Sequence, residues 1–361
     1  MYMKWPAHGG QPSKIFELTG INQNEKIYDF SANLNPLGPP RKIKQEFLQS
    51  FKQIQNYPDP DYMEATKLVS KHENLPEDHV LLTNGGAEAI FLIAHLFSGQ
   101  KALVIEPTFS EYKRACEVYN IDVSSLSLSD DNHFTLPLES IVEKLHEVDI
   151  VFICRPNNPT GTMTSIDEMK IIIENASKYG TTIIVDEAFI HFAPSEYEDL
   201  TSLVETNHNL ILLRSLTKIY SVPGLRLGYI IANQHKVNKL RSKQIPWSIN
   251  GVVTSLLPYL FADETFIEHT KNWLKKQLIY MKAELTSLGF YVSPTVVNFY
   301  LLQDDHKNTE ELFRFLLNHQ LIPRHTQTFK ELEGRYLRLA VRNEEENKYL
   351  LNVLRLWREQ Q

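Results

Sequence analysis

From residue 80 onward the chain alternates short, almost continuous apolar runs with helical stretches, and few folds accommodate that alternation. The runs at 80–83, 102–106, 150–154, 182–186, 210–214 and 228–232 are rich in Val, Ile and Leu and too short for core helices. Lacking a polar face, they read as strands covered on both sides in a mostly parallel sheet. Helical patterns lie between them, at 87–97 closed by Gly99 and at 166–179 closed by Gly180. The expected class is α/β, with helices on both faces of the sheet.

Chemistry gathers where these runs end. Thr83 is followed by Asn84-Gly85-Gly86-Ala87-Glu88, Glu106 by Pro107-Thr108-Phe109, and Cys154 by Arg155-Pro156-Asn157-Asn158-Pro159-Thr160-Gly161. Asp186 is followed by Glu187-Ala188-Phe189, and Arg214 by Ser215-Leu216-Thr217-Lys218. Ligands of open parallel sheets sit outside the carboxyl ends of the strands, so these loops predict a single site. Lys218 can hold an aldehyde as an imine, while Ser215, Thr217 and Arg226 can hold a phosphate on the same molecule. That pairing describes pyridoxal 5'-phosphate (PLP), a cofactor that brings its own electron sink. Gly85-Gly86-Ala87 opens a helix whose amides can approach a phosphate. Asp186 ends a buried strand and needs a partner such as a protonated pyridine nitrogen. Asn158, fixed beside Pro159, can donate to the pyridine O3′, and Phe109 can cover the ring.

Composition narrows the rest. A net charge of −7 without a basic tract argues against nucleic-acid binding. Any anion must be held by local arginines and amides. Two cysteines, Cys116 and Cys154, are too few for a disulfide framework and read as buried thiols of a cytoplasmic protein. No run approaches the ~20 apolar residues of a membrane span. Thirteen histidines show no metal-binding spacing. Residues 1–40, rich in proline and glycine, read as an extended arm. After about 250 come a long helix (266–288), a strand (296–302), a helix (310–318) and a strand (336–341), an α+β layer. The expected organisation is an arm at 1–44 joining the small domain, a large domain at 45–250 and a small domain at 251–361.

The motifs N-N-P-T-G at 157–161, D-E-A-F at 186–189 and S-L-T-K-x-Y-x-x-P-G-L-R-x-G at 215–228 resemble the fold-type I, class I/II aminotransferases over essentially the whole chain. The resemblance implies a mostly parallel seven-stranded sheet with a smaller α+β domain. It makes Lys218 the Schiff-base lysine, Asp186 the pyridine-nitrogen partner, Asn158 the O3′ partner and Phe109 the stacking ring. Gly86, Ala87, Ser215, Thr217 and Arg226 become phosphate ligands. Tyr57, in Asn56-Tyr57-Pro58, resembles a tyrosine that reaches the neighbouring subunit's cofactor, which implies a homodimer. Phe189 stands where aminotransferases commonly carry a tyrosine, so one donor to O3′ is missing. The chain is similar to the branch that holds histidinol-phosphate aminotransferases and threonine-phosphate decarboxylases. The arm, with Ala7-His8-Gly9-Gly10 and Asn33, resembles the decarboxylases. An imidazole beside two glycines can present N–H groups to a phosphate. In the small domain, alternation sets Arg338 on the face opposite Leu337, Leu339 and Val341, where a guanidinium can clamp an anion. Arg342 is a third arginine of the same region. The resemblance implies that Arg324 and Arg338 bind the substrate's two anionic groups, in either order, with His8, Gly9, Asn33 and Asn158 beside them. The expected activity is decarboxylation of L-threonine O-3-phosphate. Transamination of a phosphorylated amine such as histidinol phosphate is the alternative.

Overall fold

The computed structural model describes residues 5–304 and 308–360. In chain order the strands are β1 (Tyr28–Asp29), β2 (Val80–Thr83), β3 (Lys101–Glu106), β4 (Asp122–Ser127), β5 (Ile150–Cys154), β6 (Thr182–Asp186) and β7 (Leu210–Ser215). They continue with β8 (Gly228–Ala232), β9 (Phe290–Val292), β10 (Phe299–Asp304), β11 (Leu321–Ile322), β12 (Arg324–His325) and β13 (Leu337–Ala340).

Seven strands form one sheet in the order β2-β8-β7-β6-β5-β3-β4, and β8 alone runs against its neighbours. Strands β5, β6 and β8 are buried at every position, which is why their sequences lack a polar face. Two buried clusters, one on each side of the sheet, cover it with helices. Helix Ile166–Tyr179 shows why the boundaries were readable. Ser165 and Glu168 form a reciprocal capping box, and Gly180 closes the helix in the left-handed conformation at φ 74°.

The edge strand β4 was not foreseen. Its sequence, Asp-Val-Ser-Ser-Leu-Ser, is polar and half-exposed, and only pairing with β3 makes it a strand. The antiparallel sheet β12-β13-β10-β9 makes the C-terminal layer. Its strand expected at 296–302 begins at Phe299, because Val296 and Val297 instead bond back towards Gly161 and Thr295. The arm is also not wholly extended. Pro12–Thr19 is a helix with proline at its start, and burial of Ile15 and Phe16 holds it in place. The arm joins the C-terminal layer through parallel pairing of β1 with β11, Tyr28 opposite Leu321 and Asp29 opposite Ile322.

Candidate active site

The carboxyl ends of β2, β3, β5, β6 and β7 open on one cavity of about 500 Å³. Its floor belongs to the large sheet. Lys218 follows β7, and burial beside Arg338 and Arg226 holds its amine down to about 8. An uncharged amine, the nucleophilic form, is therefore accessible near neutral pH. Asp186 ends β6, accepting from the Tyr112 hydroxyl at 2.6 Å and from the Ala188 amide at 2.9 Å. Burial raises its affinity for a proton, and no ammonium or guanidinium lies within ion-pair distance of it among the described residues. A cationic ring nitrogen is the partner such a carboxylate lacks. Asn158 accepts at Oδ1 from the Arg338 guanidinium, so its remaining polar group is the Nδ2 donor. Phe109 and Phe189 also line the cavity, the latter edge-on to Phe299 at 4.9 Å between centroids.

One end of this floor is shaped for an anion. Helix Gly85–Leu96 begins there, and its N-cap, Asn84, supplies no side-chain bond to the first turn. Gly86 and Ala87 line the cavity, and the Ser215 and Thr217 hydroxyls lie 2.9 Å apart. Arg226 lies so close that a Cβ on Gly85 would sit 2.3 Å from its guanidinium. Gly85 has φ +73°, the left-handed region that favours glycine, and a side chain there would also push the Arg226 guanidinium from its place.

The opposite wall comes from the arm and the C-terminal layer. Arg338, on β13, donates to Asn158 and, at 2.9 Å, to the Ser31 carbonyl. Arg324, on β12, holds the Pro6 and Ala7 carbonyls at 2.8 and 2.7 Å and the Thr328 hydroxyl at 2.7 Å. Both are buried, and among the described residues neither has a carboxylate at ion-pair distance. Burial holds Arg338 down to about 9 and Arg324 to about 10. His8, Gly9 and Asn33 line the cavity beside them, and the Asn33 Oδ1 is buried without a hydrogen-bond partner among the described residues. Gly9 lies so close to the Ser31 carbonyl that a Cβ would stand 2.0 Å from its oxygen. Arg342 faces away and pairs with Glu346 at 3.0 Å.

Every residue assigned from the sequence to the cofactor or the substrate lines this cavity except Tyr57, which is 85% exposed and lies against Trp247 with the rings tilted and their centroids 5.3 Å apart. Several residues went unread. Glu111 and Arg114 line the cavity one helical turn beyond Phe109, as do Ser31 and Phe329. Tyr112 holds Asp186 from within the core. Beneath the floor, Glu187 pairs with Arg155 at 2.8 Å and Arg214 at 2.9 Å, all three fully buried. The presence of an arginine beside each of the strand ends β5 and β7 was the available signal. The thiols of Cys116 and Cys154 are buried, as expected, and burial pushes both up to about 12.

Comparison with known proteins decides the lineage, because the description of the aminotransferase class I and II family matches residues 25–354. The chain belongs to that family. It is 32% identical over 352 residues to the threonine-phosphate decarboxylase of Salmonella typhimurium, covering 97% of this chain and 96% of that one. It is also 32% identical over 362 residues to the adenosylcobalamin biosynthesis bifunctional protein CobDQ of Leptospira interrogans, covering 97% of this chain and 41% of that protein. Among solved structures it resembles the histidinol-phosphate aminotransferase of Clostridium acetobutylicum, with a TM-score of 0.87 and 29% identity over 93% of this chain and all of that one. The family's cofactor is PLP, and the residues present fit it. The uncapped helix start under Arg226 suits its phosphate, and the buried Asp186 suits its ring nitrogen.

Proposed function

We propose that this protein decarboxylates L-threonine O-3-phosphate, giving CO2 and (R)-1-amino-2-propanol O-2-phosphate, in the assembly of the cobalamin nucleotide loop. The observation that carries the reading is the pair of buried arginines on one wall of the cavity, neither with a carboxylate partner among the described residues. A buried guanidinium without a counter-ion is costly, and a ligand bearing two anionic groups supplies both counter-ions at once. Phosphothreonine is such a ligand, and the relatives named for threonine phosphate support the choice.

Lys218 would hold the cofactor through Nζ, with Asp186 at its ring nitrogen, Asn158 at O3′ and Phe109 over its face. Gly86, Ala87, Ser215, Thr217 and Arg226 would hold its phosphate. When bound there, PLP supplies the electron sink for a carbanion at Cα. The chain's own residues decide which bond breaks. Arg338 and Arg324, with His8, Gly9 and Asn33, orient the substrate's carboxylate and phosphate. Loss of CO2 would follow if they set the carboxylate to leave from Cα, whereas transamination would need Lys218 Nζ to take the Cα proton. Phe189 offers no hydroxyl to O3′.

The same reading includes a homodimer. Phe47, Leu48, Phe51 and Ile54 are exposed along 43–55, and the exposed rings of Tyr57 and Trp247 touch each other nearby, a surface suited to a second copy. Tyr57 would reach the cofactor of that second copy. We divide the chain at residues 44 and 250 into arm, large domain and small domain, and place it in the cytoplasm. No helix among the described residues is long and apolar enough to cross a membrane.

CO2 release tests the substrate assignment. O-phospho-L-threonine should be used over L-threonine by ~10⁴-fold or more in kcat/KM, since a site built for an anion leaves its donors unpaired without one. Equal use of both would contradict it. Amino transfer from histidinol phosphate is the second reading, favoured by the structural likeness to a histidinol-phosphate aminotransferase. Transfer of its amino group to a keto acid at a comparable rate would establish that reading instead.

A further inference from the structure

One buried acid at the cavity wall has no place in the chemistry above. Glu111, at the start of helix Glu111–Val118, is 6% exposed and lines the cavity. Its Oε1 meets the His8 Nε2 at 2.9 Å, across 103 residues of chain, and Arg114 approaches its other oxygen at 3.4 Å. We propose that Glu111 is a positioning residue for substrate selection, holding the His8 imidazole in the cavity as the donor for the substrate's phosphate. The inference rests on the reading that the substrate is phosphorylated.

The argument is one of donors and acceptors. A carboxylate only accepts, so His8 Nε2 carries a proton in this contact. Nδ1 is then the ring nitrogen left for a ligand. It donates only from the doubly protonated ring, for which the Glu111 carboxylate is the counter-charge. Arg114, from the same helix, and Arg324, from β12, are the neighbouring cations. The contact also has a mechanical consequence. Arg324 ties Pro6 and Ala7 to the C-terminal layer, and Glu111 ties His8 to the large sheet's side of the cavity. The arm is thus fastened on both sides of the substrate, and without Glu111 the imidazole is free to swing into solvent, His8 already being 40% exposed at its side chain.

The test is a double-mutant cycle on the PLP-loaded enzyme with Glu111→Gln, His8→Ala and the pair. KM and kcat are measured for O-phospho-L-threonine and L-threonine, with cofactor absorbance and thermal melting as controls. Glu111→Gln should raise KM for the phosphorylated substrate roughly 10- to 100-fold, the range for a lost charge-assisted hydrogen bond. It should leave the KM for L-threonine and the cofactor absorbance unmoved. The double variant should be no worse than His8→Ala alone. Glu111→Asp, which keeps the charge but shortens the reach, should recover part of the loss and serves if Glu111→Gln melts early. Additive losses, or equal losses on both substrates, would overturn the assignment while leaving the functional reading standing. A parent enzyme that does not prefer the phosphorylated substrate overturns both.

Discussion

The floor and the far wall of the cavity are built by opposite means. The floor, carrying Lys218, Asp186, Asn158 and Arg226, grows from the ends of adjacent strands of one sheet whose core positions are almost wholly buried. The wall sets the arm, Ala7 to Gly9, against Arg324 and Arg338, which lie opposite each other on the paired strands β12 and β13. The arm's side of it is stitched to that layer by individual contacts, such as Arg338 to Ser31 across 307 residues. A strand end fixes a side chain through many shared hydrogen bonds, whereas a stitched wall moves when one stitch is cut. The division suits the roles proposed for them. A cofactor kept through every turnover sits on the rigid part, and a substrate that must enter and leave meets the part held by few bonds.

Substitutions can break this contrast. Lys218→Ala should show the largest effect on activity, abolishing turnover and leaving no borohydride-fixed adduct by mass spectrometry. An adduct on a different lysine would remove Lys218 from the chemistry. Glu187→Ala should damage the floor as a unit. It takes from the buried Arg155 its carboxylate and from Arg214 one of three, Asp199 and Glu73 remaining at 3.5 and 4.0 Å, which should cost about 3–5 kcal/mol, read as a lowered denaturant midpoint. A loss under about 1 kcal/mol would mean that the network is not what stiffens the floor.

Gly9→Ala should act on the wall alone. The added methyl group meets the Ser31 carbonyl, so the arm must lift, and KM for phosphorylated substrate should rise by about tenfold, a loss near 1.4 kcal/mol. Cofactor retention and denaturant midpoint should hardly change, and a matching fall in cofactor affinity would show that wall and floor are one unit. The smallest effect is one of pH. With the Lys218 amine held down to about 8, the uncharged form dominates above that pH and the ammonium below it. Cofactor capture by the apo-protein should therefore quicken as pH rises, level off above about 8, and slow about tenfold per unit below it. Capture that keeps accelerating to pH 10 would show an unperturbed amine.

The same contrast explains what could be read in the chain. Lys218, Asp186 and Asn158 were legible because each follows an apolar run whose end is marked by a change of composition. Arg338 was legible from two-residue alternation with Leu337 and Leu339. Tyr112 was missed because it sits inside a helix that reads as plain core, and its hydroxyl finds Asp186 only through packing across 74 residues. Glu111 and Ser31 were missed for the same reason, since their partners lie beyond the range of local pattern. The helix Pro12–Thr19 offers only Ile15 and Phe16 to the core, too few to show a period. Strand β4 has no apolar face to announce it, and the ion network under the floor needs the register of three strands before its partners can be named.

The most direct measurement of the central claim gives purified enzyme O-phospho-L-threonine as sole substrate, with no keto acid, and follows CO2 and the phosphorylated product together. The account predicts sustained CO2 release, many equivalents per site, with 1-amino-2-propanol O-2-phosphate accumulating in step. Transfer of one amino group per site without CO2, with turnover resuming only when a keto acid is added, would contradict it.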